Sequence, residues 1–248
     1  MNTESNKPLL ALKILLRLGI VIVIVYGLYL NLYGGFGNEF QSWLLLFYTT
    51  QSNTLVMLVF AILCIHDVRD FFVPASAQAK PCRMRARMES IKIALTWAIS
   101  ITGIVYHLLL VSELKRMAPE ITLQTGMVLT PELWLSLDLL HTWSPLLAFV
   151  DWLFFSKKGA MRPLTPFKWL LIPLAYFVFI CLWVNLVAPV KPEYTFTYPY
   201  PFLDFQANGV LETWKGLLII LFGMLCLGYA YLMLDLLLGK VMAYFSKR

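Results

Sequence analysis

The sequence predicts an all-α polytopic membrane protein, a bundle of six transmembrane helices. Of the 248 residues, 60% are hydrophobic and only 14% are charged, whereas soluble domains have about 25% charged residues. The mean hydropathy is +0.73, and uncharged runs long enough to cross a bilayer as a helix, about 20 residues, recur along the chain. This composition excludes a water-soluble protein and an intrinsically disordered one. Continuous apolar runs also argue against a β-barrel, whose strands alternate over about 10 residues.

The uncharged runs between charged residues predict where the membrane-spanning helices lie. Five runs carry no charge, and a sixth apolar stretch, Leu133–Ser156, contains the carboxylates Asp138 and Asp151. We expect Asp151 to stand alone near the cytoplasmic end of its helix. With no internal repeat or linker, the chain is predicted to form a single domain over residues 1–248. The predicted helices are approximately 10–33, 41–66, 91–113, 133–156, 169–190 and 210–238.

The orientation follows from the basic residues. With the N-terminus in the cytoplasm, sixteen of the twenty Lys and Arg residues fall on the cytoplasmic side. This asymmetry over short loops is a positive-inside signal, so both termini are predicted to be cytoplasmic. Since topology accounts for the net charge of +6, we expect no nucleic-acid partner.

The cysteines predict no metal site. Cys64, Cys181 and Cys226 fall in predicted spans and Cys82 in a cytoplasmic loop. The sequence has neither a Cys-x-x-Cys motif nor a Cys/His spacing typical of zinc ligands. We therefore expect no metal and no cofactor.

Polar residues inside the predicted spans collect at one depth. At ~1.5 Å per residue, six of them lie roughly 8–14 Å below the outer surface, and Ser52 and Asn53 follow Thr49 and Thr50 on the second helix. Because polar groups in a bilayer are costly, they indicate function by default, and their common depth predicts one pocket in the outer half of the membrane. They are Thr49, Thr50, Ser52, Asn53, His107, Asp138, His141 and Asn185.

Helical spacing groups these residues further. Either threonine shares a helix face with Asn53, and Asp138 lies three residues before His141, close enough to orient its ring. A hydroxyl activated by histidine is a nucleophile suited to acyl transfer. We expect His141 to deprotonate Thr49 or Thr50, and Asn53 or Asn185 to hydrogen-bond the oxyanion.

The loop 191–208, KPEYTFTYPYPFLDFQAN, is predicted to lie outside the membrane. Its prolines forbid a regular helix, and it is rich in aromatic residues. It is either an interfacial aromatic belt or a lid over the pocket, to which Tyr200 and Asp204 would contribute.

Three segments carry a resemblance to a family. FYTTQSN (Phe47–Asn53), LHTWSPLLAFVDWLFF (Leu140–Phe155) and YPYPFLD (Tyr198–Asp204) occur in this order on six predicted helices. The chain resembles the androgen-induced gene one family, which includes the androgen-dependent TFPI-regulating protein, and most of all its bacterial "Pr-six-Pr" branch. The resemblance therefore implies a bacterial cytoplasmic membrane.

The resemblance also implies an activity. Animal members of the family are threonine hydrolases that cleave fatty acid esters of hydroxy fatty acids, with a threonine on the second helix and a histidine on the fourth. The histidine corresponds to His141 and the threonine to Thr49 or Thr50. Ser52 and Asn53 follow the bacterial pattern, and they can equally form a non-catalytic binding site.

Two other classes of function remain open. One is a membrane receptor, carrier or scaffold that binds a lipid or small molecule in the polar pocket without chemistry. The other is a haem-binding electron carrier, because His107 and His141 are predicted at similar depth on adjacent helices. The third histidine, His66, lies on the cytoplasmic side without a partner.

Overall fold

The computed structural model describes residues 7–34, 39–73, 83–112, 114–116, 130–188 and 198–246. Every regular element among them is helical, as the sequence predicts. The α-helices are α1 Lys7–Leu32, α2 Tyr48–Phe72, α3 Arg83–Val105, α4 Pro131–Asp138, α5 Ser144–Phe155, α6 Thr165–Trp169, α7 Leu171–Leu182, α8 Phe205–Asn208 and α9 Val210–Phe245. Single π-helical turns occupy Tyr106–Leu110, Leu139–Trp143 and Trp183–Val187, and short 3₁₀ turns occupy Ser42–Leu46 and Pro201–Leu203.

Five helical stretches of the described chain are long and apolar enough to cross a membrane. The helix α2 is not among them, although it has 25 residues. Its first two turns, YTTQSNT, are polar. The chain is thus compatible with a multi-pass membrane protein, and the sixth span stays a prediction. The five stretches are Lys7–Leu32, Arg83–Leu108, Pro131–Phe155, Thr165–Val187 and Val210–Phe245.

The chain divides into two compact units, Met1–Ser156 and Lys157–Arg248, where the sequence predicts a single domain. In the first unit, α1 packs against α2, α4 and α5, while α3 packs against α2 and α5. In the second unit, α9 packs against α6 and α8. Each unit is described by itself below.

In the second unit, α9 holds the loop that precedes α6. The buried Asp235 accepts backbone hydrogen bonds from Gly159, through its carbonyl, and from Met161, through its carboxylate. Gly159 has a φ of +71°. A Cβ placed on Gly239 would lie 2.7 Å from the Cα of Gly159. Glycine is needed at both positions, because one has a left-handed backbone and the other a close approach.

Two helices extend further than the charge pattern predicts. The helix α2 continues to Phe72 through Asp67, Arg69 and Asp70, and α3 begins at Arg83 rather than near residue 91. Charged residues mark the end of a span only when they reach water. Here several of them bond to one another inside the first unit, so the helices continue through them.

These charged side chains form an ionic cluster at one end of the first unit. At its centre, the fully buried Arg17 donates hydrogen bonds of 2.9 Å to Asp67, Glu89 and Asp151. Four helices, α1, α2, α3 and α5, therefore meet at one guanidinium. The members of the cluster are Lys13, Arg17, Asp67, Asp70, Arg85, Glu89, Lys92 and Asp151.

The expectation that Asp151 stands alone is wrong. Its carboxylate, which is fully buried, accepts from Arg17 and from Lys92. The sequence places these cations 134 and 59 residues away along the chain, so only the packing of the helices reveals the pairing. Arg17 and Lys92 count as topology signals in the sequence, yet in the fold they neutralise buried carboxylates.

We expect Asp151→Asn to destabilise the first unit strongly. The substitution leaves two buried cations short of one anion, and breaking a buried ion pair costs about 3–5 kcal/mol. Thermal unfolding of the purified protein in detergent measures the effect. The matched control is Glu212→Gln, which breaks an exposed pair with Lys215 worth about 0–1 kcal/mol. Equal unfolding temperatures for the two variants would contradict a stabilising role for the cluster.

Candidate functional site

Three of the predicted site residues lie in π-helical turns. His107 lies in Tyr106–Leu110, His141 in Leu139–Trp143 and Asn185 in Trp183–Val187. π-helical turns are rare in proteins, and those that occur are frequently found at functional sites. Both candidate histidines and Asn185 thus lie in irregular helical backbone, whereas Thr49 lies in the regular helix α2.

The turn around His141 is supported by a proline and two polar side chains. In this turn the Ser144 N–H bonds the carbonyl of Leu139, five residues back. Pro145 has no N–H, so it donates no hydrogen bond to the carbonyls of Leu140 and His141 that precede it. The Leu140 carbonyl instead accepts from the Asn53 amide at 3.2 Å. The Ser144 hydroxyl lies 3.0 Å from the same carbonyl oxygen and shares its single proton between it and Asn53 Oδ1. A carbonyl without a partner is costly inside a membrane protein, and Asn53 supplies that partner.

Two glycines allow neighbouring helices to approach this turn. A Cβ placed on Gly27 of α1 would lie 2.9 Å from the Leu140 side chain. One placed on Gly103 of α3 would lie 2.8 Å from the His141 carbonyl oxygen. Small residues at helix contacts are typical of membrane bundles. The backbone of His141 is therefore held by α3 on one side, while α1 holds its neighbour Leu140.

Thr49 and His141 form a hydroxyl–imidazole pair. The Thr49 Oγ1 lies 3.2 Å from His141 Nε2, and His141 Nδ1 lies 2.9 Å from the Leu137 carbonyl oxygen. A neutral imidazole carries one proton, and the carbonyl oxygen can only accept, so the proton is on Nδ1. Nε2 is thereby left to accept from the Thr49 hydroxyl, which is the arrangement that general-base activation of a nucleophile requires.

The neighbouring Thr50 does not contact His141. Its side chain is buried, and its Oγ1 accepts a long hydrogen bond of 3.5 Å from Asn31 of α1. The sequence leaves Thr49 and Thr50 as alternatives, and the geometry favours Thr49.

The predicted pairing of Asp138 with His141 is not observed. Asp138 is exposed, and the Leu137 carbonyl takes its place at Nδ1. The spacing of three residues brings side chains together on a regular α-helix. The turn Leu139–Trp143 is wider than an α-helical turn, so residues 138 and 141 diverge.

The side-chain amide of Asn53 makes hydrogen bonds through its nitrogen and its oxygen and links α2 to the turn Leu139–Trp143. Its amide nitrogen donates to the carbonyls of Thr49 and Leu140, and its Oδ1 accepts from Ser144 at 2.7 Å. Both amide hydrogens are used, which leaves none for an oxyanion. Ser52, also buried, bonds the Thr49 carbonyl at 3.2 Å. These two residues therefore support the backbone of Thr49.

A second hydroxyl–imidazole contact lies beside the first. His107, which is exposed, has its Nε2 2.9 Å from the Oγ1 of Thr142, the residue after His141. The haem alternative, which rests on His107 and His141, stays a prediction. In this structure each of the two Nε2 atoms faces a threonine hydroxyl.

The remaining predicted site residues belong to the second unit and bond within it. Asn185 donates to the Cys181 carbonyl at 2.7 Å, and the Tyr200 ring stacks on Phe202. Asp204 caps α8 by accepting from the backbone N–H groups of Gln206 and Ala207. Residues 191–197 of the predicted belt or lid lie outside the described residues.

No family model, curated protein or solved structure matches this chain. Among the described residues, no cluster of three or more His, Cys, Asp or Glu side chains can hold a metal ion. The resemblance to the androgen-induced gene one family stays a prediction, and the geometry of the first unit carries the functional argument.

Sequence reasoning missed two side chains of this site, Ser144 and Tyr106. Ser144 bonds Asn53 and the Leu140 carbonyl, and its position three residues after His141 in HTWSP is the only sequence signal. The Tyr106 ring stacks on His141, with the ring centroids 4.5 Å apart and an interplanar angle of 23°. Nothing in the sequence links two residues that are 35 positions apart on different helices.

We expect Gly103→Ala to displace the turn that carries His141. The added Cβ meets a backbone oxygen rather than a flexible side chain, and overpacking of this kind costs about 1–3 kcal/mol. Thermal unfolding in one detergent, compared with that of the wild type, measures the loss. Gly216→Ala on α9 is the control, because its Cβ meets nothing within 4 Å and alanine is the better helix former. A Gly103→Ala variant as stable as Gly216→Ala would contradict the close contact.

Proposed function

We propose that this chain is an intramembrane hydrolase of lipid esters, with Thr49 as the nucleophile and His141 as its base. One observation carries the proposal. The Thr49 hydroxyl lies 3.2 Å from the His141 Nε2, while the Leu137 carbonyl holds the proton of the ring on Nδ1. Thr49 is partly accessible and His141 is buried, so a substrate, and then the water that hydrolyses the acyl-threonine, reaches the pair from the side of the threonine.

The reaction proceeds in two acyl-transfer steps. His141 takes the Thr49 proton as Oγ1 attacks the ester carbonyl carbon. The carbon–oxygen bond to the alcohol then breaks, and the proton on Nε2 passes to the departing alkoxide. Water, deprotonated by the same nitrogen, attacks the acyl-threonine and releases the fatty acid and the free hydroxyl.

The imidazolium formed in each step is stabilised without a carboxylate. Nδ1–H remains bonded to the Leu137 carbonyl. The Tyr106 ring covers the imidazole face at 4.5 Å, and a cation over an aromatic ring is stabilised by the ring quadrupole. This pair of contacts replaces the role that the sequence assigns to Asp138.

The surroundings of the pair favour a lipid substrate. Leu108 and Trp143, neighbours in sequence of His107 and Thr142, expose large apolar side chains, and their helical stretches are two of the five able to span a membrane. An acyl chain can pack against such an apolar surface without burying polar groups of the protein. The family resemblance adds the substrate class of fatty acid esters of hydroxy fatty acids or related lipids.

The topology belongs to the same proposal. With α2 as the sixth span and the N- and C-termini in the cytoplasm, Thr49 and His141 lie in the outer half of the bilayer, open to the non-cytoplasmic side. The asymmetry of Lys and Arg supports this orientation, and the resemblance to the bacterial branch supports the cytoplasmic membrane of a bacterium.

We expect Thr49→Ala and His141→Ala each to abolish ester hydrolysis by the purified protein. The measurement is turnover of a palmitate ester of hydroxystearic acid and of a p-nitrophenyl acyl ester in detergent. A fluorophosphonate probe should form an adduct on the peptide that contains Thr49, and mass spectrometry locates the modified residue. The first variant lacks the nucleophile, and the second lacks the base that activates it.

The matched control is Thr50→Ala, which removes the adjacent hydroxyl that contacts Asn31 rather than His141. It should retain both turnover and labelling. Undiminished hydrolysis by His141→Ala, or an adduct that survives Thr49→Ala, would contradict the assignment. A wild-type protein that binds lipid esters without hydrolysing them would instead be a carrier or receptor.

A further inference from the structure

The hydroxyl of Tyr106 is a buried donor without a partner. The side chain is 2% exposed, and its hydroxyl makes no hydrogen bond to any residue that the structure describes. A buried hydroxyl left unpaired costs about 1–3 kcal/mol. Native proteins keep few such groups, and catalysis is one of the reasons for keeping one.

Tyr106 lies against the proposed base. Its ring stacks on the His141 imidazole, and the phenol hydroxyl projects from the edge of that stacked ring. Tyr106 also begins the π-helical turn Tyr106–Leu110, one turn after Gly103, where α3 approaches the His141 backbone. The Tyr106 ring is therefore held on the His141 imidazole by the part of the chain that also contacts the His141 backbone.

The Thr49–His141 pair still lacks a donor for the oxyanion. Both amide hydrogens of Asn53 are engaged, and the hydroxyls of Ser52 and Ser144 donate to main-chain or side-chain oxygens. Among the described side chains that contact these residues, Tyr106 has a proton left to donate.

We propose that Tyr106 is a catalytic residue whose hydroxyl hydrogen-bonds the ester oxyanion. This inference rests on the proposed hydrolase function. As the Thr49 oxygen bonds the carbonyl carbon, the π electrons of the carbonyl move to its oxygen and the Thr49 proton moves to His141 Nε2. The Tyr106 hydroxyl keeps its proton and donates a hydrogen bond to the new oxyanion, which collapses to the carbonyl as the alcohol leaves.

The decisive variant is Tyr106→Phe, which keeps the stacked ring and removes the hydroxyl alone. Loss of one oxyanion donor lowers kcat roughly 10²–10³-fold, and we expect this loss with KM little changed. We also expect the unfolding temperature to stay equal or rise, because phenylalanine removes a hydroxyl that has no partner in the free protein. Activity and stability should thus move in different directions.

The control is Tyr231→Phe, another buried tyrosine, on α9 of the second unit, which should keep the wild-type kcat. If the wild type hydrolyses the hydroxystearate ester, Thr49→Ala does not, and Tyr106→Phe equals the wild type, then the inference fails and the hydrolase function stands. A joint fall in kcat and unfolding temperature assigns Tyr106 a structural role and also overturns the inference. If the wild type itself hydrolyses no ester, the proposed function fails, and the role of Tyr106 fails with it.

Discussion

Polar groups inside an apolar protein must find their partners within the chain, since there is little water to supply them. Two assemblies in the first unit follow from this constraint. The ionic cluster surrounds the buried guanidinium of Arg17 with the carboxylates of Asp67, Glu89 and Asp151. At a separate position, the side chains of Asn53 and Ser144 hydrogen-bond the Leu140 carbonyl, to which Pro145 cannot donate. In a bilayer there is no hydrophobic driving force between helices, so these polar contacts act together with the close packing at Gly27 and Gly103 to hold neighbouring helices.

The geometry of the proposed site depends on the irregular turn Leu139–Trp143. The Leu137 carbonyl within reach of Nδ1 selects the tautomer of His141 and takes the place that the sequence assigns to Asp138. A backbone carbonyl in this role differs from the carboxylate of the Ser-His-Asp arrangement. The same physical requirement is met, because any acceptor at Nδ1 leaves Nε2 free to act as a base.

The two ends of the first unit thus use polar residues for different purposes. In the ionic cluster, cations and carboxylates face one another, so the cluster needs no further ligand to balance its charge. Around His141, the Tyr106 hydroxyl has no acceptor among the residues that the structure describes, and Thr49 is partly accessible. An incomplete set of hydrogen bonds beside the proposed base and nucleophile is what a site completed by its substrate would show.

The sequence by itself determined the helical class, the apolar stretches able to span a membrane, and the residues Thr49 and His141 as candidates. These follow from composition and from the cost of polar groups in lipid, which are local properties. It did not determine that α2 and α3 continue through charged residues, that Asp151 pairs with Arg17, or that Thr49 rather than Thr50 meets His141. Nor did it indicate Tyr106 or Ser144. Those features depend on contacts between residues 35 to 134 positions apart and on a π-helical turn that shifts side chains off the regular helix face. Only the tertiary structure decides them, because helical spacing describes neighbours on one helix and not partners on another.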